Sequence, residues 1–257
     1  MSKELATTGD TVDKSADRIN NELEKKKEPA KKKSAADKTQ SLFAFDREIA
    51  GKNLRKPGAV LLGTDEVGRG CLAGPVVAAA VQLPDLSVES DLANLLRGLN
   101  DSKKLSPQKR QELAALIKTN CRYAIAESSV EEIDKINILQ ASFLAMRRAI
   151  SQLELPDASV ILVDGNQKIS KLELRQIMVI GGDGISASIA AASVIAKVYR
   201  DELMSSLSST FPQYRWDSNK GYGSKDHRDA ILEHGLSIWH RQSFCRKIEN
   251  TQLNIVL

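Results

Sequence analysis

Three short uncharged runs, each leading into an acid with glycine close by, constrain this chain more tightly than any other feature. They are AVLLGT (59–64), which runs into Asp65 and Glu66; SVILVDG (159–165), which holds Asp164; and QIMVIGGD (176–183), which ends on Asp183. Apolar runs of about 4–8 residues bounded by glycine read as buried strands rather than helices. PVVAAAVQL (75–83) and CRYAIAES (121–128) bring the predicted strands to five.

Helices are marked by their caps. Ser106 before Pro107 opens one whose apolar face is Leu113, Leu116 and Ile117. Ser129 with Glu132 forms a capping box ahead of a helical region carrying Ile133, Ile136, Leu139, Phe143 and Met146, with a break predicted near Asn137. SIAAASVIAKVYRDEL (188–203) is a third, and further helical segments fill the remainder. This order predicts an α/β domain: a mixed sheet of about five strands flanked by helices, plus C-terminal helices.

Residues 1–45 read differently. The first forty hold ten Lys or Arg against eight Asp or Glu, with Lys25–Lys27 and Lys31–Lys33 as runs and no aromatic residue. Such a segment cannot bury enough to offset the entropy of folding, so it is predicted to be a disordered tail, with at most a transient helix around residues 16–28. It is either a solvated appendage or an electrostatic tether to nucleic acid. The folded domain is then 46–257. At 42% hydrophobic and 27% charged residues, wholesale disorder is excluded. The longest apolar stretches, such as Val76–Val81, fall far short of the roughly 20 residues that span a bilayer. The first fifteen residues lack the apolar centre of a secretory signal, so a cytoplasmic protein is expected. Three scattered cysteines suggest neither a disulfide framework nor a thiolate zinc site. A net charge of +4 is compatible with a polyanionic partner without requiring one.

Taken singly, each acid is an ordinary strand end entering a glycine turn. Taken together, neighbouring strands would gather the carboxylates at one edge of the sheet, where they repel unless a divalent cation sits among them. All-oxygen ligation suits Mg²⁺ or Mn²⁺, and sharing of carboxylates between two ions is the arrangement used for in-line displacement at phosphorus. Adjacent strand residues point to opposite faces, so Asp65 and Glu66 can serve one site only if the strand ends or bulges; a distortion is predicted between Thr64 and Gly68. Gly68-Arg69-Gly70 lets backbone approach a ligand closely and offers an arginine fork of phosphate size. The glycine spacing does not fit a dinucleotide fingerprint.

With these segments in view the sequence resembles ribonuclease HII from about Leu61 to Phe244. The matching blocks are TDEVGRG (64–70), GPVVAAAV (74–81), LNDSKKLS (99–106), VDGN (163–166), ISASIAAASVIAKVYRD (185–201), KGYGSKDH (220–227) and HRQSF (240–244). The resemblance implies an RNase H-like fold. It also implies hydrolysis of RNA paired with DNA, including cleavage 5′ to ribonucleotides embedded in duplex DNA, with Mn²⁺ or Mg²⁺ held by Asp65, Glu66, Asp164 and Asp183. Asp65 is the choice for the bridging ligand. The backbone of Gly68, Arg69 and Gly70 matches the element that senses the ribose 2′-OH, and Tyr222 falls where the family packs a tyrosine on the adjoining deoxyribose. Ser102, Lys103 and Lys104 are expected to contact phosphates. Ser193, Lys197 and Arg200 share one helical face and either line the groove or, for Ser193, only pack against the sheet.

Departures from the common pattern are Cys71, Gly181, Gly184 and Gly223-Ser224. All four acids remain, so activity is expected to survive. Most C-terminal aromatics are read as core, with Tyr222 the exception in a flexible setting between two glycines. Nothing in the sequence requires more than a monomer. The alternatives are a hybrid-binding protein of the same fold without catalysis, and a small-molecule phosphohydrolase using the same acids; the dispersed basic groups suit a polymer better.

Overall fold

The computed structural model of the chain describes residues 35–255, with side chains described over 38–248. The basic runs 25–27 and 31–33 and the segment 16–28 lie outside the described residues.

All five predicted strands form: β1 (Leu61–Val67), β2 (Val76–Gln82), β3 (Arg122–Ser128), β4 (Val160–Asp164) and β5 (Arg175–Val179). They make one sheet in the order β3-β2-β1-β4-β5. The first three are an antiparallel meander, and β4 then adds parallel to β1 and β5 parallel to β4. Parallel addition needs a crossover connection; helices lie in the one from β1 to β4, whereas residues 165–174 join β4 to β5 without a helix.

Nine helices occur among the described residues: α1 (Ala35–Asn53), α2 (Asp91–Leu95), α3 (Pro107–Asn120), α4 (Val130–Ile136), α5 (Ile138–Ser151), α6 (Ala187–Thr210), α7 (Trp216–Asn219), α8 (Lys225–His234) and α9 (Gln242–Ile255). Their starts follow the predicted caps. Ser106 Oγ accepts from Lys109 N at 3.2 Å, and the Ser129–Glu132 capping box closes in both directions. Asn137, at φ 65°, separates α4 from α5 and caps the latter through its side chain. α6 runs past its predicted end to Thr210 because nothing breaks it before Phe211-Pro212.

The helices cover both faces. Leu62, Ile161 and Val163 bury against Phe143, Met146 and Ile150 of α5. On the opposite face, Val77, Ala79 and Val81 pack with the alanine-rich α6, with Leu113 and Ile117 of α3, and with Leu42 and Phe43 of α1. The boundary expected near residue 45 therefore falls inside a helix. Thr39, Leu42, Phe43 and Asp46 are all buried, and counting charges across 1–40 missed the short apolar face that begins at its end. A separate C-terminal cluster holds Tyr214, Trp216, Ile231 and Cys245, in keeping with the core reading of most aromatics there. No disulfide forms, and no helix is long and apolar enough to cross a membrane, among the described residues.

Candidate active site

The close approach of α6 to β1 builds the centre of the site. A Cβ at Gly63 would stand 2.3 Å from backbone atoms of Ser188 and Ile189, so only glycine lets the helix lie directly on the strand. Four helical residues rise about 6 Å and two strand residues about 6.6 Å, so contact at Gly63 brings Ser193 opposite Asp65. The Ser193 hydroxyl is close enough to the Asp65 carboxyl to favour its charged form. Asp65 is only 7% exposed. Burial, and then the charges of Asp164 and Glu66, push its pKa well above the ordinary range.

Asp164 ends β4 on the same face of the sheet. Its Oδ1 accepts from Gly182 N at 2.7 Å, and its pKa is raised by burial and by Glu66, against the pull of that amide and of Lys103. Asp183 sits in the single 3₁₀ turn Gly182–Gly184 that follows β5. Its carboxyl is raised to about 6 by burial, Asp164 and Asp101, opposed by Lys103. Gly181, with φ 65°, opens that turn in a conformation glycine takes easily.

The predicted distortion of β1 is absent: the strand pairs regularly with β2 from Gly63–Val81 through Val67–Val77. Glu66 therefore does point to the α5 face, opposite Asp65. It reaches the acids by another route, because pairing with β4 stops at Thr64–Val163 and the chain turns away at Gly165, φ 99°. β1 overshoots its neighbour, and Glu66, past the end of β4, acts on both Asp65 and Asp164. The sequence shows the alternation; only the unequal strand ends reveal the way round it.

A cavity of ≈ 320 Å³ opens over Asp65 and Glu66, lined also by Ser102, Lys103, Ser193, Lys197 and Tyr222; Asp164 and Asp183 lie outside its lining. Ser102 is buried and bonded to Ser193 Oγ at 2.9 Å, so it holds the site together rather than presenting a free hydroxyl. Lys197 Nζ pairs with Asp201 at 2.7 Å and lies 5.7 Å from the Tyr222 ring centre. Lys104 is exposed and paired with Asp101 at 3.1 Å, outside the cavity lining. Arg69 Nη1 meets Glu66 Oε1 at 3.1 Å beside Asp164 and Asn166.

The GRG segment divides in two. Gly68 is buried at φ 94°, and a Cβ there would come within 2.3 Å of Arg200 Nε; Gly70 is exposed with nothing within 4 Å of such a Cβ. Arg200 does not line the groove. Fully buried, it donates to the carbonyls of Pro75, Ala73 and Lys220 at 3.0, 2.9 and 2.8 Å. Arg241, also buried, donates to the carbonyls of Arg69 and Gly74, both at 2.9 Å. The helical spacing showed that Arg200 shares a face with Lys197 but not that this face turns inward. Tyr222 is pinned rather than flexible: it is bridged to Cys71, and Leu72 N donates to Gly221 O at 2.8 Å. Its ring remains 40% exposed.

No three His, Cys, Asp or Glu side chains among the described residues converge into a preformed cation cage. The donors are nevertheless all hard oxygens, and burial with neighbouring acids disfavours the charged forms of Asp65, Asp164 and Asp183 in a way a cation would relieve. That suits Mg²⁺ or Mn²⁺, which take one or two carboxylates and complete their shells with water and substrate phosphate.

A family model described as Ribonuclease HII matches residues 62–247. A protein named ribonuclease HII from Ruegeria sp. (strain TM1040) is 51% identical over 184 residues, 72% of this chain and 77% of that one. Among solved structures, a chain of the PCNA:RNase HII complex from Archaeoglobus fulgidus superposes with TM-score 0.60 at 28% identity, covering 71% of this chain and 93% of that chain. Ribonuclease H2 from Pyrococcus horikoshii OT3 superposes with TM-score 0.61 at 25% identity, covering 75% and 98%.

Proposed function

This chain belongs to the ribonuclease HII family, and on that premise we propose that it is a metal-dependent endoribonuclease. It hydrolyses the RNA strand of RNA-DNA hybrids and cuts 5′ to ribonucleotides embedded in duplex DNA, leaving 5′-phosphate and 3′-hydroxyl ends. We place it in the cytoplasm, acting as a monomer, with the catalytic domain taking in α1.

The observation that carries this reading is the meeting, in one cavity, of Asp65 and Glu66 with Lys103, Lys197 and a half-exposed tyrosine, with the charges of Asp164 and Asp183 acting on Asp65 beside it. Asp65, Asp164, Asp183 and Glu66 are the groups that would hold divalent cations. Such cations, when bound by these residues, would supply a lowered pKa for the attacking water and charge stabilisation for the leaving 3′ oxygen. Asp65 would be the carboxylate shared between cations, since Asp164, Glu66 and Asp183 all act on it. Lys103 and Lys197 hold phosphate oxygens, and Arg69 can join them, since its ion pair with Glu66 is half-exposed and weak. The exposed backbone at Gly70 approaches the ribose 2′-OH, the group that distinguishes RNA from DNA. Tyr222 stacks on the sugar at the adjoining deoxynucleotide.

A second reading, hybrid binding without cleavage, draws on the open arrangement of the acids. Duplex DNA carrying one ribonucleotide separates the two. Cutting on the 5′ side that requires Mg²⁺ or Mn²⁺, stops with chelator and is lost in Asp65→Asn supports the nuclease; binding without any cutting leaves the second reading.

A further inference from the structure

Outside the acids, one buried polar chain reaches the site at a single point. His227, in the first turn of α8, is fully buried, and its Nδ1 lies 2.9 Å from the carbonyl oxygen of Tyr222. Its Nε2 lies 3.0 Å from Trp216 Nε1 and 3.1 Å from His240 Nε2. The proton positions follow from groups that can only donate. Ser237 N–H donates to His240 Nδ1 at 2.9 Å, so the His240 proton is on Nε2 and is given to His227. His227 Nε2 thus accepts from both Trp216 and His240, its own proton is on Nδ1, and it donates to Tyr222 O. Burial favours the neutral form of both rings, which this arrangement needs.

The pair also joins two backbone segments. Cys71 is bridged to Tyr222 and Ala73 to His240, while Arg241 N donates to Leu72 O at 2.8 Å. The stretch that follows the GRG segment is therefore flanked by the Tyr222 turn on one side and by 239–241 on the other. Contact between the imidazoles closes that frame. An apolar pair would fill the same space, but would remove the bond that ties the Tyr222 carbonyl to α8, leaving it the one from Ser224 N at 2.8 Å.

We propose that His227 is a positioning residue for junction recognition: held in one tautomer by Trp216 and His240, it fixes the Tyr222 turn against the loop that carries Gly70. This rests on the nuclease reading above. It predicts a loss specific to substrates that need the tyrosine.

The test compares kcat/KM on a duplex with a single embedded ribonucleotide and on a long RNA-DNA hybrid, with Tm measured for every variant. His227→Leu should lower the single-ribonucleotide value by about tenfold, the order of one aromatic stacking contact, and change the hybrid value less than about threefold. His227→Asn, whose Nδ2 can replace Nδ1 as donor to Tyr222 O, should restore most of the loss. Tyr222→Ala should reproduce it, and the double variant with His227→Leu should be no worse than Tyr222→Ala alone, because one residue acts through the other. His240→Asn, which keeps an acceptor for Ser237 and removes the donor to His227, should lower the ratio about threefold; it carries the test should His227→Leu not fold. Equal losses on both substrates, an additive double variant, or an unchanged ratio in His240→Asn overturns the proposal. A wild-type protein that cuts neither substrate instead sinks the nuclease reading itself.

Discussion

Replacing Gly68 and Gly70 by alanine, one at a time, should separate what this loop does for the fold from what it does for the substrate. At Gly68 the φ of 94° costs an alanine about 1–2 kcal/mol. The new Cβ would stand 2.3 Å from Arg200 Nε, a buried guanidinium that cannot swing into solvent. Shifting it breaks at least one of its three bonds to main-chain carbonyls, each worth about 1.5–3 kcal/mol for a charged donor. The sum is roughly 3–5 kcal/mol, a large share of the 5–15 kcal/mol that holds a typical domain, and corresponds to a fall in Tm of about 10 °C. Gly70 has a negative φ and an open surface, so Gly70→Ala should stay within about 0.5 kcal/mol of the parent. Its methyl group would nonetheless hold the ribose away from the backbone, and cutting at a single ribonucleotide should fall about tenfold or more. Urea unfolding and cleavage assays on the same preparations measure both quantities. A Gly68→Ala protein as stable as the parent, or a Gly70→Ala protein with undiminished cutting, refutes the division.

Asp65→Asn should abolish cutting and raise Tm by a few degrees, since burial and then the neighbouring acids disfavour the carboxylate that the amide replaces; a lowered Tm would mean that Asp65 is structural. Asp183, with a pKa near 6, is charged above that pH and neutral below it. Cutting at fixed cation concentration should therefore fall about tenfold per unit below pH 6 and recover as the cation is raised, whereas a flat profile down to pH 4.5 contradicts the assignment. Lys103→Ala should weaken hybrid binding and reduce the slope of log affinity against log salt by about 1, as for loss of one phosphate contact; an unchanged slope removes Lys103 from the phosphate path.

Much of this protein was legible in one dimension. The five strands, the capped starts of α3 and α4, the break at Asn137 and Asp164 at the end of β4 follow from short apolar runs, caps and glycine, which act over a few residues, whereas β1 runs on through Asp65 and Glu66 and β5 stops at Val179, short of Asp183. What the chain order could not decide depended on who lies next to whom. Leu42 and Phe43 sit at the end of a charged run, and only the sheet they cover makes them core. Arg200 shares a helical face with Lys197 and could line the groove until the carbonyls of Ala73, Pro75 and Lys220 claim it. Glu66 joins the acids because β4 stops short of β1, a fact of register that alternation along a single strand does not contain. Local chemistry is written in neighbouring residues, whereas desolvation and charge repulsion arise only when distant segments pack, and those two forces set the character of the site.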